Sequence, residues 1–163
     1  MRTTRTYDHF CSLARALERV GDRWTLLVVR DLIGGPQRFT DLKARLGGIT
    51  PKTLSERLRE LTEAGIVAVD RVSGRREVWY RLTPAGAELA PAVGALTLWG
   101  LRHASRPPLP GEAVHPEHLL KAVQLVQAQT PPPLQPLAWR FHFADDGDYT
   151  RSFEGQRWEL APE

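Results

Sequence analysis

The chain has 163 residues, of which 42% are hydrophobic and 25% are charged, proportions that are ordinary for a soluble globular protein. No apolar run approaches the roughly 18 residues of a membrane-spanning helix. The single cysteine, Cys11, excludes an intrachain disulfide, and no apolar secretion signal follows the first basic residues. We therefore expect a cytoplasmic protein.

Charge is distributed unevenly along the chain. Residues 1–106 contain 18 Lys and Arg against 11 Asp and Glu, a net charge of +7, whereas residues 107–163 contain 4 against 8, a net charge of −4. A basic excess is commonly only a solvated surface, but it also suits a polyanionic partner. The stiff sequence RPPLP at residues 106–110 marks a boundary. We predict one domain over residues 1–106 and a Pro-rich linker with a small extension over residues 107–163.

Two helices are predicted near the start. Apolar residues recur at helical spacing from Phe10 to Val20 and form one stripe on a first helix. Asp22 is a suitable N-cap for a second helix from Trp24 to Ile33, in which seven of ten residues are apolar. Because these residues surround nearly the whole circumference, the second helix should be the buried centre of the domain.

The next two predicted helices are joined by a short turn. Residues 39–46 have apolar side chains at helical spacing, and residues 47–49 form the connection typical of a helix-turn-helix. Thr50 and Pro51 fit the N-cap and first position of the following helix, and Gly65 fits the residue just past its end. This last helix should therefore cover about residues 51–64.

The helix over residues 51–64 has two different faces. Leu54, Leu58 and Leu61 recur at i, i+4 and i+7 and should be buried. The opposite face carries polar side chains that remain free: Lys52, Ser55, Glu56 and Arg59. An ordinary amphipathic helix is the alternative interpretation.

A basic hairpin follows this helix. Two β-rich runs, residues 66–72 and 77–82, are joined by Ser-Gly-Arg-Arg, which places Arg75 and Arg76 at the hairpin tip. Helix, turn, helix and basic hairpin in this order are typical of a winged helix-turn-helix.

Another helical region follows the hairpin. Thr83 and Pro84 repeat the N-cap and first-turn pattern, and Pro91 imposes a kink or a fresh start before the helix continues to about His103. Its apolar side consists of Leu89, Val93, Leu96 and Gly100, with Trp99 beside them. Since little of so small a domain remains to be covered, we expect this side and the first helix to form a dimer contact. Packing within the same chain is the alternative.

The last part of the chain is predicted to be α+β. Residues 116–129 form a helix that three prolines terminate. Its apolar side consists of Leu119, Leu120, Val123 and Val126. Aromatic and polar residues then alternate over residues 139–143, and runs at 149–153 and 157–160 complete a small meander with a turn at 145–148. The fold class is therefore mainly α with a β-hairpin wing, plus a small α+β extension.

Taken in order, these segments resemble the HxlR-type family of winged-helix transcriptional regulators, relatives of the MarR group. The resemblance covers about residues 10–104 and rests on Cys11, residues 21–27 (GDRWTLL), Gly35-Pro36, Arg38-Phe39, residues 48–61, residues 63–65 (EAG), Tyr80, Leu82-Thr83, Gly86 and Trp99-Gly100. It implies a homodimer that binds a pseudo-palindromic operator in double-stranded DNA. Ser12 stands where the family usually has proline. The extension weakly resembles part of a sterol-carrier-like domain, but its fewer than 60 residues are too few for a complete lipid cavity.

The polar face of the helix over residues 51–64 suits the major groove, which admits a helix and presents base edges with distinct donor and acceptor patterns. Lys52 and Arg59 can donate to guanine, and Glu56 can accept from cytosine. Ser55 can also reach a base edge. Alternatively, Arg59 and Glu56 form only pairs on the helix surface.

Backbone contacts are expected on either side of that helix. Thr50 and Thr53 suit phosphate beside the helix N-terminus. Arg75 and Arg76 suit the minor groove or its phosphates, because a narrow groove concentrates negative potential. Basic side chains of this kind supply most of the affinity for DNA.

Enzymatic activity is not expected. His115 and His118 could be half of a metal site, but no cysteine or clear carboxylate completes it, and Asp145, Asp146 and Asp148 lack the later glutamate of a calcium loop. No glycine-rich phosphate loop, nucleophile elbow or carboxylate constellation is present. We therefore predict no catalytic residue, no metal and no cofactor.

Cys11 is a candidate redox sensor, because a helix N-terminus and the nearby Arg15 both favour the thiolate. The alternative is a small hydrophobic residue without chemistry. The sequence thus favours a homodimeric, sequence-specific transcriptional regulator, with a small molecule or an oxidant as a candidate effector. The other hypothesis is a non-catalytic interaction module that keeps the fold and works through its acidic extension.

Overall fold

The computed structural model describes residues 6–71, 77–112, 114–143, 147–154 and 157–162. Seven helices and six strands lie within those ranges: α1 (Ser12–Val20), α2 (Thr25–Ile33), β1 (Gln37–Arg38), α3 (Phe39–Arg45), α4 (Pro51–Glu63), β2 (Val67–Arg71), β3 (Val78–Leu82), α5 (Pro84–Ala87), α6 (Ala90–His103), α7 (Pro116–Gln127), β4 (Leu137–Phe143), β5 (Gly147–Glu154) and β6 (Arg157–Pro162). The described helices include none that is long and apolar enough to cross a membrane.

The chain divides into two compact units. The first comprises Met1–Leu96 with Leu109–Ala113, and the second comprises Thr97–Pro108 with Val114–Glu163. Helix α6 contributes residues to both. The boundary that the sequence places at residue 106 remains a prediction about where an independently folding domain ends.

Helix α2 is the centre of the first unit, as the sequence predicts. Val28 and Val29 are fully buried and Leu32 nearly so. Around them pack Leu42, Leu46, Ile49, Leu54, Leu58, Leu61, Ile66 and Val67. The three leucines expected on one face of α4 all belong to this core, because their spacing of 3.6 residues per turn aligns them toward α2. Leu89 and Val93 also pack against the core. Part of the apolar side predicted for the helical region after the hairpin is therefore covered within the chain.

The first helix is shorter than its apolar pattern predicts. α1 begins at Ser12, with Cys11 as its N-cap in an extended conformation, so Phe10 lies outside the helix and is 94% exposed. The apolar pattern includes Phe10 because a residue that precedes a helix can still fall at helical spacing by chance. Leu13 and Leu17 of α1 are exposed as well, and only Val20 of this helix is buried.

The wing is a three-stranded antiparallel sheet in the order β1-β3-β2. The hairpin of β2 and β3 follows the predicted runs closely, and β3 lies between the other two strands. Tyr80 pairs with Val69 on one side and with Gln37 on the other. Strand β1 was not predicted, because a strand of two residues is too short to show the alternation of apolar and polar side chains.

Helix α4 and the wing are held to the short helix α5. Gly65, just past the end of α4, adopts φ +71°, which favours glycine. Thr83 caps α5 by accepting from the Gly86 amide at 3.0 Å, and its hydroxyl donates to the Gly65 carbonyl at 2.6 Å. A Cβ on Gly86 would lie 2.1 Å from the Ile66 carbonyl oxygen, so the approach of α5 to the base of the wing requires glycine here.

The second unit contains α7 and a separate antiparallel sheet in the order β4-β5-β6. The predicted meander is confirmed. Of its predicted turn at residues 145–148, residues 145 and 146 lie outside the described residues, whereas Gly147 and Asp148 already belong to β5 and pair with β4. The apolar side predicted for α7 is only partly correct. Leu120 is buried, but Leu119 and Val126 are 42% and 43% exposed. Neighbouring residues on a helix point about 100° apart, so Leu119 and Leu120 cannot both face the same support.

Candidate nucleic-acid interface

The N-terminus of α4 is capped as the sequence predicts. The Thr50 hydroxyl accepts from the Thr53 amide at 3.1 Å, and the two threonine hydroxyls lie 2.8 Å apart. Pro51 occupies the first turn. Since a helix N-terminus presents unpaired backbone N–H groups and the positive end of the dipole, the exposed Thr50 lies at a position that suits a phosphate oxygen.

The polar face of α4 is open to solvent. Lys52, Ser55 and Arg59 are exposed and Glu56 is half-buried. Arg59 donates to Glu63 at 2.7 Å, with about three-fifths of both side chains exposed. This hydrogen bond and the charge of Glu63 raise the pKa of Arg59. The surface pair considered for Arg59 therefore exists, but with Glu63 rather than Glu56.

An exposed pair of this kind contributes little to folding and exchanges readily with water, because high dielectric screens the attraction. Arg59 can therefore leave Glu63 for a stronger acceptor without unfolding the helix. Its guanidinium carries five donors in a planar fork that matches paired acceptors such as those of guanine.

Arg57 has a different environment from Arg59, although the two lie on the same helix. Its side chain is 9% exposed and bonds to Asp22 at 3.1 Å and to Glu60. Asp22 itself lies just before α2 and accepts from the Trp24 amide at 2.9 Å. Arg57 therefore holds α4 against the start of α2 and is not available to DNA. From its spacing along α4 alone, Arg57 can be placed only near the leucine side of the helix.

Arg38, in strand β1 of the wing, is a basic residue that was not predicted to be a site residue. It is the N-cap residue of α3, and its backbone amide donates to Asp41 at 3.2 Å. Its guanidinium lies 4.6 Å from the centroid of the Trp79 ring and 3.1 Å from the Glu77 carboxylate. Trp79 is its direct neighbour across β1 and β3. Its signal in the sequence is weak, because the partners lie some forty residues away.

Arg75 and Arg76, predicted at the wing tip, lie outside the described residues. The strands on either side are paired up to Arg71 and Val78. The assignment of the two arginines to DNA therefore remains a prediction from the sequence.

Cys11 lies at the N-cap of α1 and is partly buried. With Phe10, Ser12 and Arg15 it lines a hollow of about 310 Å³. The Arg15 guanidinium lies 5.3 Å from the Phe10 ring centroid, so its position is fixed in part by that ring. Across the described ranges, no three His, Cys, Asp or Glu side chains are grouped to hold a metal ion.

Residues 19–107 match the family model described as HxlR-like helix-turn-helix. The chain belongs to this family. An uncharacterized HTH-type transcriptional regulator of Mycobacterium bovis is 46% identical over 99 residues, which are 59% of this chain and 61% of the relative. The chain thus spans about three-fifths of that relative's length.

Two solved structures that this chain resembles are of regulators. The redox regulator HypR in its oxidized form is 30% identical, with a TM-score of 0.54, covering 60% of this chain and 100% of that chain. The reduced form of the transcriptional regulator YodB from B. subtilis is 27% identical, with a TM-score of 0.52, covering 61% of this chain and 100% of that chain. The relatives are regulators rather than enzymes, in agreement with the expectation from the sequence.

Replacing Arg57 by alanine should lower the free energy of unfolding by about 1–3 kcal/mol, because two charge-assisted hydrogen bonds are lost and two partly exposed carboxylates lose their partner. Arg59→Ala, two residues along the same helix, should change it by less than about 0.5 kcal/mol. Urea denaturation of both variants measures the difference. Equal effects of the two substitutions would contradict the assignment of Arg57 to the fold and Arg59 to the surface.

Proposed function

We propose that this chain is a sequence-specific DNA-binding regulator of transcription that acts as a homodimer on a pseudo-palindromic operator. The observation that supports this most directly is the division of α4 into a fully buried leucine face and an exposed, hydrogen-bonding face. The basic excess of residues 1–106 and the membership of the HxlR-like family point the same way.

In this proposal α4 is the recognition helix and enters the major groove. Lys52 and Arg59 donate to guanine, Glu56 accepts from cytosine, and Ser55 contacts a base edge. Arg59 exchanges its hydrogen bond with Glu63 for one with a base. Because the Arg59–Glu63 pair is exposed, breaking it costs little free energy. Thus the same residue is paired in the free protein and reads sequence in the complex.

Contacts to the DNA backbone fix the position of that helix. Thr50 and Thr53 bond a phosphate at the N-terminus of α4, where both hydroxyls already meet. Arg75 and Arg76 reach the minor groove or its phosphates from the wing. Phosphate contacts supply affinity and salt dependence but carry no base sequence.

Arg59→Ala should weaken binding to the operator by about 1–3 kcal/mol and relax base preference at particular positions, because a donor to a base edge is lost. Arg75→Ala with Arg76→Ala should weaken binding to all sequences alike and flatten the salt dependence. The operator is first selected from random DNA with the wild-type protein, and affinities are measured by fluorescence anisotropy at several salt concentrations. Equal losses on operator and random DNA for Arg59→Ala would refute its role in reading bases.

The dimer contact in this proposal is made by α1 and the later part of α6. Leu13 is 67% exposed, Leu96 is 54% exposed and Trp99 is 59% exposed. Such large apolar side chains on two helices are costly to leave in water, and a two-fold contact between copies would cover them. The two recognition helices are then expected roughly 34 Å apart, one turn of DNA.

Leu13→Glu should convert the dimer to a monomer and reduce operator affinity, because a carboxylate would be buried in an apolar contact. Leu134→Glu is the matched control, since Leu134 is fully exposed outside any helix or strand. Light scattering at micromolar concentration measures the mass of each variant. A monomeric wild type, or a dimeric Leu13→Glu variant, would exclude this contact.

In this proposal, oxidation of Cys11 is the signal that changes the DNA affinity of the regulator. The thiol is partly buried at the start of α1, the helix assigned to the dimer contact, so a change at Cys11 acts directly on the interface. HypR, a structural neighbour, is titled a redox regulator in its oxidized form. A thiol next to a two-fold contact can also pair with its own copy.

Diamide treatment should change the operator affinity of the wild type by about 5-fold or more, a typical coupling between two sites, and should leave Cys11→Ser unaffected. Operator affinity is measured before and after treatment, with non-reducing gels and mass spectrometry to show that the thiol is modified. If the modified wild type keeps its affinity, or the serine variant responds equally, Cys11 is only a packing residue.

A further inference from the structure

Arg151 lies at the centre of the aromatic face of the C-terminal sheet. It is on the middle strand, β5, between Trp139 of β4 and Leu160 of β6. Alternate residues of these strands share that face: Leu137, Trp139, Phe141, Tyr149, Arg151, Phe153, Trp158 and Leu160. Arg151 is only 8% exposed, an uncommon burial for a charged side chain.

Arg151 has few partners for so buried a cation. Its Nε donates to the Gln127 side-chain oxygen at 3.0 Å, and its guanidinium lies 5.6 Å from the Trp158 ring centroid. In the ranges that the structure describes, no carboxylate pairs with it. Burial lowers the pKa of Arg151, although an arginine remains charged at neutral pH. The terminal nitrogens of the guanidinium have no acceptor among the described residues and are not sealed from solvent, so they are open to a further acceptor.

Gln127 adds a buried donor without a partner at the same place. It is 8% exposed, and its side-chain nitrogen has no hydrogen-bond partner among the described residues. The amide cannot be reversed, because its oxygen is needed to accept from Arg151. The two side chains thus form a buried cluster that has donors in excess and one positive charge.

The surroundings are apolar and reach solvent on one side. Trp139 and Trp158 stack with centroids 5.1 Å apart and planes inclined by 15°. Trp139, the cross-strand neighbour of Arg151, is 40% exposed. A ligand that complements this place needs an acceptor group with one negative charge and an apolar body.

We propose that Arg151 and Gln127 bind the carboxylate of a small apolar acid whose hydrocarbon part lies against Trp139 and Trp158. A planar carboxylate offers two acceptor oxygens and one charge, which match one guanidinium and one amide donor. A phosphate dianion would need more cations than the site holds. Binding at this site does not depend on the proposed DNA-binding function.

The test uses the full chain and 2-naphthoate as the probe, with 2-naphthamide as the neutral control. Isothermal titration calorimetry should show saturable binding of one naphthoate per chain, and the amide should bind about 10-fold more weakly or worse, because it lacks the charge that Arg151 requires. Equal affinity for acid and amide would overturn the proposal. So would the absence of naphthoate binding up to about 1 mM.

Arg151→Met should weaken naphthoate binding by about 10-fold or more, because the cation that pairs with the carboxylate is lost. Arg157→Met, on the opposite face of the same sheet, is the control and should bind as the wild type does. Gln127→Leu removes the second donor and repeats the test if Arg151→Met does not fold. Unchanged naphthoate binding in the Arg151 or Gln127 variant would overturn the proposal.

Discussion

The orientation of α4, the proposed recognition helix, depends on one ion pair, between the buried Arg57 and the partly exposed Asp22. Leu54, Leu58 and Leu61 bury the helix, but apolar contact is non-directional and tolerates rotation about the helix axis. The guanidinium of Arg57 bonds a fixed carboxylate at 3.1 Å, and charge-assisted bonds of this kind have a narrow geometry. Because successive residues are 100° apart, a small rotation of α4 would already redirect Lys52 and Arg59.

The same carboxylate also determines where α2 begins. Asp22 accepts from the Trp24 amide immediately before that helix, so the central helix of the core and the recognition helix share one anchor. Arg59, only two residues from Arg57, has an ion pair that water screens. Arg57 is buried and stabilises the fold, whereas Arg59 is exposed and can bind another group.

Local signals in the sequence predict most of this fold. Thr50, Pro51 and Gly65 define the ends of α4, since caps and positive φ are properties of single residues. Leucine spacing then identifies the buried face of the helix. The exposed face follows by elimination, so the amino-acid sequence is sufficient to place the candidate surface on α4.

Contacts between residues that are distant in the sequence cannot be predicted from local patterns. The partner of Arg57 lies 35 positions earlier in the chain, and the burial of Arg151 depends on Gln127 from another element. Strand β1 is too short to show a period, and its pairing with β3 is a tertiary contact. Helix α1 starts two residues after its apolar pattern begins, because Phe10 falls at helical spacing without belonging to the helix.

The central position of β3 in the wing has a consequence for the mechanics of binding. Because β3 bonds to β1 as well as β2, the base of the hairpin is tied to the segment that enters α3, and Arg38 belongs to both. The wing therefore does not swing independently of the helix-turn-helix. For a regulator that binds DNA as proposed, the pairing of β3 with β1 keeps the distance between the wing and the recognition helix constant. Duplexes whose groove width or stiffness does not fit that distance are penalised even where no side chain touches a base.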